Sequence, residues 1–463
     1  MAVSRKGQID MTIGHIMKNI ILFAIPIIIG NVLQQLYTTV DALVIGQYCG
    51  DTSLAAVGTS SQPVEVLLCV FLGIGTGVSI LISQYAGAKE SDKVVSICGT
   101  SITFIYIIGI PVGILGWFAA PYILEFMKVP QDVWDAALIY TRLVFLGTLG
   151  NLGYNMNAGI LRGLGDSKAS LWFLVVSCIS NIVFDLVFVA GFGMDVAGAA
   201  LATSIAMFIS WLVSIAYIRK MFPEIQFTFL PRRFSGKMMK DILAIGLPVG
   251  LNNSLYSLGH VALQTFNNSQ GAVFMAGGAV AGRITGCSNI AITGLSSAAT
   301  TFSGQNYGAK KYDRIKEGHW KIPICSGLIT LGCGLFFIMI HKSLIRFFSS
   351  DEMVLMYASR HVVVMLLSQW FYAIFNCIIS IVNGTGRVRY TTIVNILMLW
   401  AVRIPSAYII NRYFDGTWVM LCFPISFSFG MFAMIGYYLF SPAWKEVMRL
   451  AENKPQEGPI KEN

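Results

Sequence analysis

The chain has 463 residues, 55% of them hydrophobic and only 12% charged. A soluble domain carries roughly twice that charged fraction, so a water-dissolved globule is excluded and a lipid-embedded chain is indicated. The net charge of +9 would point to nucleic acid in a soluble protein, but here Lys and Arg fall in short loops between apolar runs, where they orient a membrane protein. No nucleic-acid partner is expected.

In chain order, residues 1–17 read as a polar cytoplasmic segment with no cleavable signal ahead of the first apolar run. Apolar runs follow at about 18–46, 54–86, 95–119, 134–158, 167–190, 197–219, 241–268, 273–305, 320–342, 354–381, 390–412 and 417–440. Each can supply the roughly 20 residues with which a helix crosses a bilayer. The fold class expected is all-α integral membrane, with about twelve spans in two six-helix lobes, 18–219 and 241–440. Residues 220–240 form a basic cytoplasmic linker, and the polar tail, 441–463, is expected to be mobile from about 445 on. Lys and Arg crowd one side of the spans, including Arg5, Lys6, Lys89, Lys168, Arg219, Lys220, Arg232, Lys310, Lys311, Arg387, Lys454 and Lys461. That bias puts both termini in the cytoplasm of a multi-pass plasma (inner) membrane protein. The nine Cys include no C-x-x-C pair, so neither a metal centre nor a disulfide framework is expected.

The halves repeat. Ser83-Gln84-Tyr85-Ala86-Gly87-Ala88-Lys89 returns as Gly304-Gln305-Asn306-Tyr307-Gly308-Ala309-Lys310, and Gly163 and Gly165 return as Gly384 and Gly386, all near one offset of 221 residues. Ile25-Pro26 returns as Leu247-Pro248, one residue out of step. Six spans per half is an even number, so the repeats insert in the same orientation, an arrangement suited to alternating access. Pro26 and Pro248 each lack a backbone N–H inside a span and permit a bend there.

Polar residues that the halves do not share are the candidates for function, because an ionisable group inside a span is costly. Asp41 stands opposite Ala262 or Leu263, Asn181 opposite Val402, Asp185 opposite Ser406, Asn157 opposite Ile378 and Thr203 opposite Pro424. Asn181 and Asp185 are spaced i, i+4 and share a helix face. Burial of a carboxylate disfavours its charge, so such a group can exchange protons from a cavity, and Asn and Thr oxygens would equally suit a hard cation such as Na⁺. Interhelical hydrogen bonding is the alternative role, and for Asn157, Asn181 and Thr203 the two readings stand level. Gln34, Tyr37 and Glu65 are further candidates for a substrate cavity, and Glu65 could equally sit at the interface. His260 and Gln264, on one face of the seventh span, are also cavity candidates, although such a pair more often serves as interhelical glue. Arg403, in the eleventh span, is expected to pair with a helix end or a lipid headgroup.

Gly73-Ile74-Gly75-Thr76-Gly77 lies in an apolar run without a following Lys-Ser or Lys-Thr. It therefore reads as a close helix-packing site and not as a phosphate loop. No His-Glu metal motif and no Gly-x-Ser-x-Gly elbow occurs, so an intramembrane enzyme is not expected.

Pro26, Tyr37-Thr38-Thr39-Val40-Asp41, Gly87-Ala88-Lys89 and Leu161-Arg162-Gly163-Leu164-Gly165-Asp166, with the second copies Gln305-Asn306-Tyr307-Gly308-Ala309-Lys310 and Gly384-Thr385-Gly386, resemble the multidrug and toxic compound extrusion (MATE) transporters. The resemblance spans about 15–442. It implies a V-shaped, two-lobe exporter of organic cations, drugs or metabolites, driven by H⁺ or Na⁺, acting as a monomer without cofactor. It assigns cation coupling to Asp41, Asp185, Asn181, Asn157 and Thr203, with a conformational kink at Pro26. The absence of carboxylates within the second-half spans implies the branch related to the DNA-damage-inducible transporters over the NorM-like branch. Two other readings compete: a lipid-linked oligosaccharide flippase, whose cavity should be cationic, and a membrane receptor without transport.

Overall fold

In lipid a backbone can satisfy its hydrogen bonds only within itself, so long apolar runs become helices. The computed structural model describes residues 8–231 and 233–452, and every regular element among them is helical. Arg5, Lys6, Arg232, Lys454 and Lys461 of the basic side fall outside the described residues. The helices are α1 (Ile16–Tyr48), α2 (Asp51–Gly87), α3 (Ser91–Phe126), α4 (Trp134–Leu146), α5 (Thr148–Gly163), α6 (Ser167–Asp185), α7 (Asp195–Met221), α8 (Gly236–Asn268), α9 (Ala272–Gly308), α10 (Tyr312–Phe348), α11 (Glu352–Gly384), α12 (Val388–Ile396), α13 (Ile404–Tyr413), α14 (Cys422–Phe440) and α15 (Pro442–Glu452).

Among the described residues these make twelve segments of spanning length. The helix pair α4 and α5 forms one, bent by 47°. The bend falls at Gly147, where an added Cβ would lie 2.2 Å from Ser204 Oγ of α7, and that hydroxyl donates to the Leu143 carbonyl at 3.3 Å. The α6 segment continues through a π-helical turn, Leu186–Gly191, and α12 joins α13 through another, Leu397–Arg403. Among the described residues nine helices are long and apolar enough to cross a membrane, or ten with the bent pair. The other two segments, α8 and α9, are as long but richer in Gly, Ser, Asn and Thr.

The repeat is visible in the backbone. Gly50 and Gly271 have φ of 83° and 92°, Lys89 and Lys310 have 59° and 56°, and Gly165 and Gly386 have 91° and 85°. Each pair is one repeat apart. After Gly87 the chain turns left-handed at Lys89, and Glu90 N–H bonds back to Tyr85 C=O; after Gly308, Lys311 N–H bonds to Asn306 C=O in the same way. These bonds satisfy carbonyls that the ending helix leaves open, which is why the motif recurs.

The chain packs as two compact units: one of residues 8–10 and Ile21–Ala262, the other of Met11–Ile20 and Leu263 onward. This division does not follow the repeat. Most of α8, the first helix of the second repeat, packs in the first unit. The reason is a pair of glycine steps: a Cβ on Gly73 would lie 2.1 Å from Gly250 Cα, and one on Gly77 would lie 2.7 Å from Gly246 Cα. The backbones of α2 and α8 thus touch along small-x-x-x-small faces, and Ser254 Oγ donates across to Val66 C=O at 2.8 Å. The close-packing role expected of the Gly73–Gly77 run is met by this contact. In the second unit, Met11 N–H bonds Gln305 Oε1 at 2.9 Å, and Asn306 Nδ2 donates to Met11 C=O at 3.0 Å.

The tail departs from expectation. Residues 442–452 form α15, which buries Trp444, Val447 and Ala451 on one face. Trp444 stacks on Tyr438 at 4.7 Å, Lys316 pairs with Glu452 at 2.8 Å, and Arg387 pairs with Glu446 at 3.6 Å. An i, i+3, i+7 apolar stripe docks the helix despite its polar composition; the remainder, 453–463, lies outside the described residues.

Candidate functional site

Three helices of the first unit assemble a cluster of oxygens. From α1 comes Asp41, from α6 Asn181 and Asp185 one turn apart, and from α7 Thr203. The Asp41 and Asp185 side chains meet. Asp185 is fully buried and Asn181 nearly so. Asn181 Nδ2 donates to Thr203 Oγ1 at 3.2 Å, which turns the amide oxygen away from that bond. Asp41 Oδ1, both Asp185 oxygens and Asn181 Oδ1 are buried with no hydrogen-bond partner. Buried polar atoms are ordinarily paired, so four unpartnered acceptors mark a place for a proton or a cation. Oxygen-only donors match the preference of hard cations. Among the described residues no three His, Cys, Asp or Glu side chains converge as a metal-binding group.

Asn157 is not part of this cluster. Its Nδ2 donates to Ser214 Oγ at 2.7 Å, and Ser214 lies eleven residues beyond Thr203 on α7, about 16 Å along a helix. Asn157 is buried with its Oδ1 unpartnered, a separate polar point in the same unit.

Tyr37 stands one turn before Asp41 on α1, close to Asp41, and bonds the Gln34 side chain. Tyr140 of α4 lies within electrostatic reach of Asp41, Tyr37 and Asp185, and sequence reading missed it. A lone Tyr among apolar neighbours carries no period or motif, so only the packing of α4 could reveal it. Pro26 is buried within an unbroken α1. Glu65 is exposed on α2. The exposed His260 lies edge-on to Tyr256 at 4.9 Å, and Gln264 Nε2 donates to Asn268 at 2.9 Å. These last two make contacts within their own helix, α8.

In the second unit Arg403 does not reach a lipid headgroup, one of the two partners expected for it. It is fully buried, its Nε donates to Ser426 Oγ at 2.9 Å, and its guanidinium lies 4.9 Å from the ring centres of both Phe423 and Phe427. The flat, weakly hydrated guanidinium is the cation best suited to such an aromatic cage.

The MatE family model matches residues 26–187 and again 248–409, one match per repeat. A Bacillus subtilis protein named "Probable multidrug resistance protein YoeA" is 30% identical over 450 residues, covering 93% of this chain and 95% of that protein. A Thermotoga maritima protein, "Probable multidrug resistance protein NorM", is 26% identical, covering 89% and 90%. Among solved structures, a crystal structure of MATE in complex with MaD3S superposes with a TM-score of 0.85 at 23% identity, covering 97% of this chain and 99% of that one. A MOP superfamily transporter from Pyrococcus furiosus gives 0.83 at 23%, covering 96% and 99%. These two structures bear on the fold alone. The two matches in tandem and the full-length relatives establish the family: this chain is a multi-pass membrane protein of the MatE family, whose members are transporters and not enzymes.

Proposed function

We propose that the protein is a secondary active efflux transporter that exchanges H⁺ or Na⁺ for organic cations, drugs or metabolites by alternating access. The observation that carries this is the buried cluster of acceptor oxygens on Asp41, Asp185 and Asn181. Two carboxyl groups that meet in a dry site need a proton or a cation between them. Arrival of that ion neutralises the site, so a cationic substrate nearby loses its counter-charge and departs. Pro26 supplies no N–H to the α1 ladder and lets the helix that carries Asp41 bend. One charge moving down the membrane potential provides roughly 2.3 kcal/mol per 100 mV, sufficient for about a 50-fold gradient. The "multidrug resistance" and "multidrug export" names of the relatives support a drug-like substrate. Acidic side chains of the second repeat lie only at helix ends or in loops, which supports coupling in the first unit and placement in the branch related to the DNA-damage-inducible transporters. The basic loops support cytoplasmic termini in the plasma membrane, and a monomer is the proposed working form.

The test is efflux of a fluorescent organic cation from proteoliposomes under an imposed H⁺ gradient and, separately, a Na⁺ gradient. Efflux driven by one gradient and lost in Asp41→Asn is the expected result. Undiminished gradient-driven efflux in both Asp41→Asn and Asp185→Asn proteins would falsify the coupling assignment.

A further inference from the structure

Outside the acidic cluster, the first unit has a groove of about 570 Å³ along the start of α8. Met239, Leu243 and Leu247 form its floor at i, i+4, i+8 spacing, and Gly236 and Ala244 make it concave by their small size. Phe234, 58% exposed, walls one end, and Lys240 stands in the rim. Lys237 is exposed one turn before Lys240. Some basic residues elsewhere are paired: Lys93 with Glu90, Lys316 with Glu452, Lys321 with Glu317. Neither Lys237 nor Lys240 has an ion-pair partner among the described residues.

An apolar trough ending at two unpartnered ammonium groups complements one chemistry: a hydrocarbon chain joined to an anion. The groove lies on a membrane protein, where the basic stretch around 219–240 sits at headgroup level. We infer that α8 carries a site for a phospholipid with an anionic headgroup, its acyl chain along Met239, Leu243 and Leu247 and its phosphate between Lys237 and Lys240. The neighbouring faces explain why this stretch offers a groove. Gly246 and Gly250 touch α2 and Ile242 and Ile245 are buried, which leaves the adjoining face of α8, with Lys240, Ala244 and Leu247, exposed for lipid. A zwitterionic phospholipid offers the same phosphate but carries an opposing cation beside it, so it gains less from the lysines.

The full-length protein, purified in detergent and incubated with phosphatidylglycerol or phosphatidylcholine, is examined by native mass spectrometry. Retained phosphatidylglycerol is expected to fall about fivefold per lysine removed in Lys237→Gln and Lys240→Gln, with phosphatidylcholine falling clearly less. Ala244→Phe, which fills the trough, lowers both lipids, whereas Arg219→Gln lowers neither. These positions are exposed, and unchanged thermal unfolding of each variant excludes misfolding. Phosphatidylglycerol retention indifferent to both lysines, or to Ala244→Phe, overturns the site.

Discussion

In the first repeat, the helix that starts after the Gly165 turn brings Asn181 and Asp185 into the interior. In the second, the helix after the Gly386 turn brings in Arg403 at the position next to the Asn181 counterpart, Val402. Each buried charge borders a π-helical turn, Asp185 just before one and Arg403 at the end of the other. The charges differ in sign and in how they are satisfied. Asp185 has two unpartnered oxygens, whereas Arg403 has a hydroxyl and two aromatic faces. The turn before each helix shows a similar exchange. Asp166 caps α6 by accepting from Ala169 N–H at 2.9 Å and from Tyr217 OH at 2.7 Å, while its counterpart Arg387 pairs with Glu446 of α15. Duplication has kept the backbone turns, which glycine and left-handed geometry require, and has left interior polarity free to diverge. One copy holds an open acceptor site and the other a guanidinium caged between aromatic rings.

This contrast can be broken at its strongest point first. Gly73→Ala puts a Cβ into the α8 backbone at 2.1 Å, and overpacking of this kind costs about 3 kcal/mol or more. Most of the folded protein should be lost, as read by size-exclusion chromatography of a fluorescent fusion. Next, Asp185→Asn replaces an open acceptor by an amide and should slow gradient-driven efflux about 100-fold, or about 2.7 kcal/mol, with the protein still folded. Arg403→Ala should do the opposite. Loss of the Ser426 bond and the aromatic cage is worth about 2–3 kcal/mol of stability, seen as a lower unfolding temperature, while the folded fraction keeps its ion coupling. A coupling defect in Arg403→Ala would end the assignment of separate roles to the two interiors. The smallest effect belongs to Gly286→Ala on α9, where nothing lies within 4 Å of an added Cβ. There the helix should gain about 0.5–1 kcal/mol, measured as a slightly higher unfolding temperature.

Much of the candidate site was legible in the sequence because it was the unshared polar set of a duplicated chain. Asp41, Asn181, Asp185 and Thr203, which the repeat comparison singled out, lie together in the structure. Asn157 passed the same filter yet bonds Ser214, about 16 Å along α7 from Thr203, because the filter detects divergence and not position. Tyr140 escaped, having no charge or periodicity to mark it. The docked α15 had a readable stripe at Trp444, Val447 and Ala451, masked by Lys445, Glu446 and Arg449 on its outer face.

By itself the sequence determined that this chain spans a membrane as helices, that it is built twice over, and that its mid-span carboxylates lie in one half. Those properties follow from hydropathy, periodicity and the price of burying charge, all of which act locally along the chain. Only the tertiary structure decided which oxygens meet, that Arg403 is caged instead of reaching for a headgroup, and that α8 packs with the first repeat. Such outcomes depend on contacts between residues far apart in the chain, where a missing Cβ on Gly73 or the facing of two carboxyls decides what can approach.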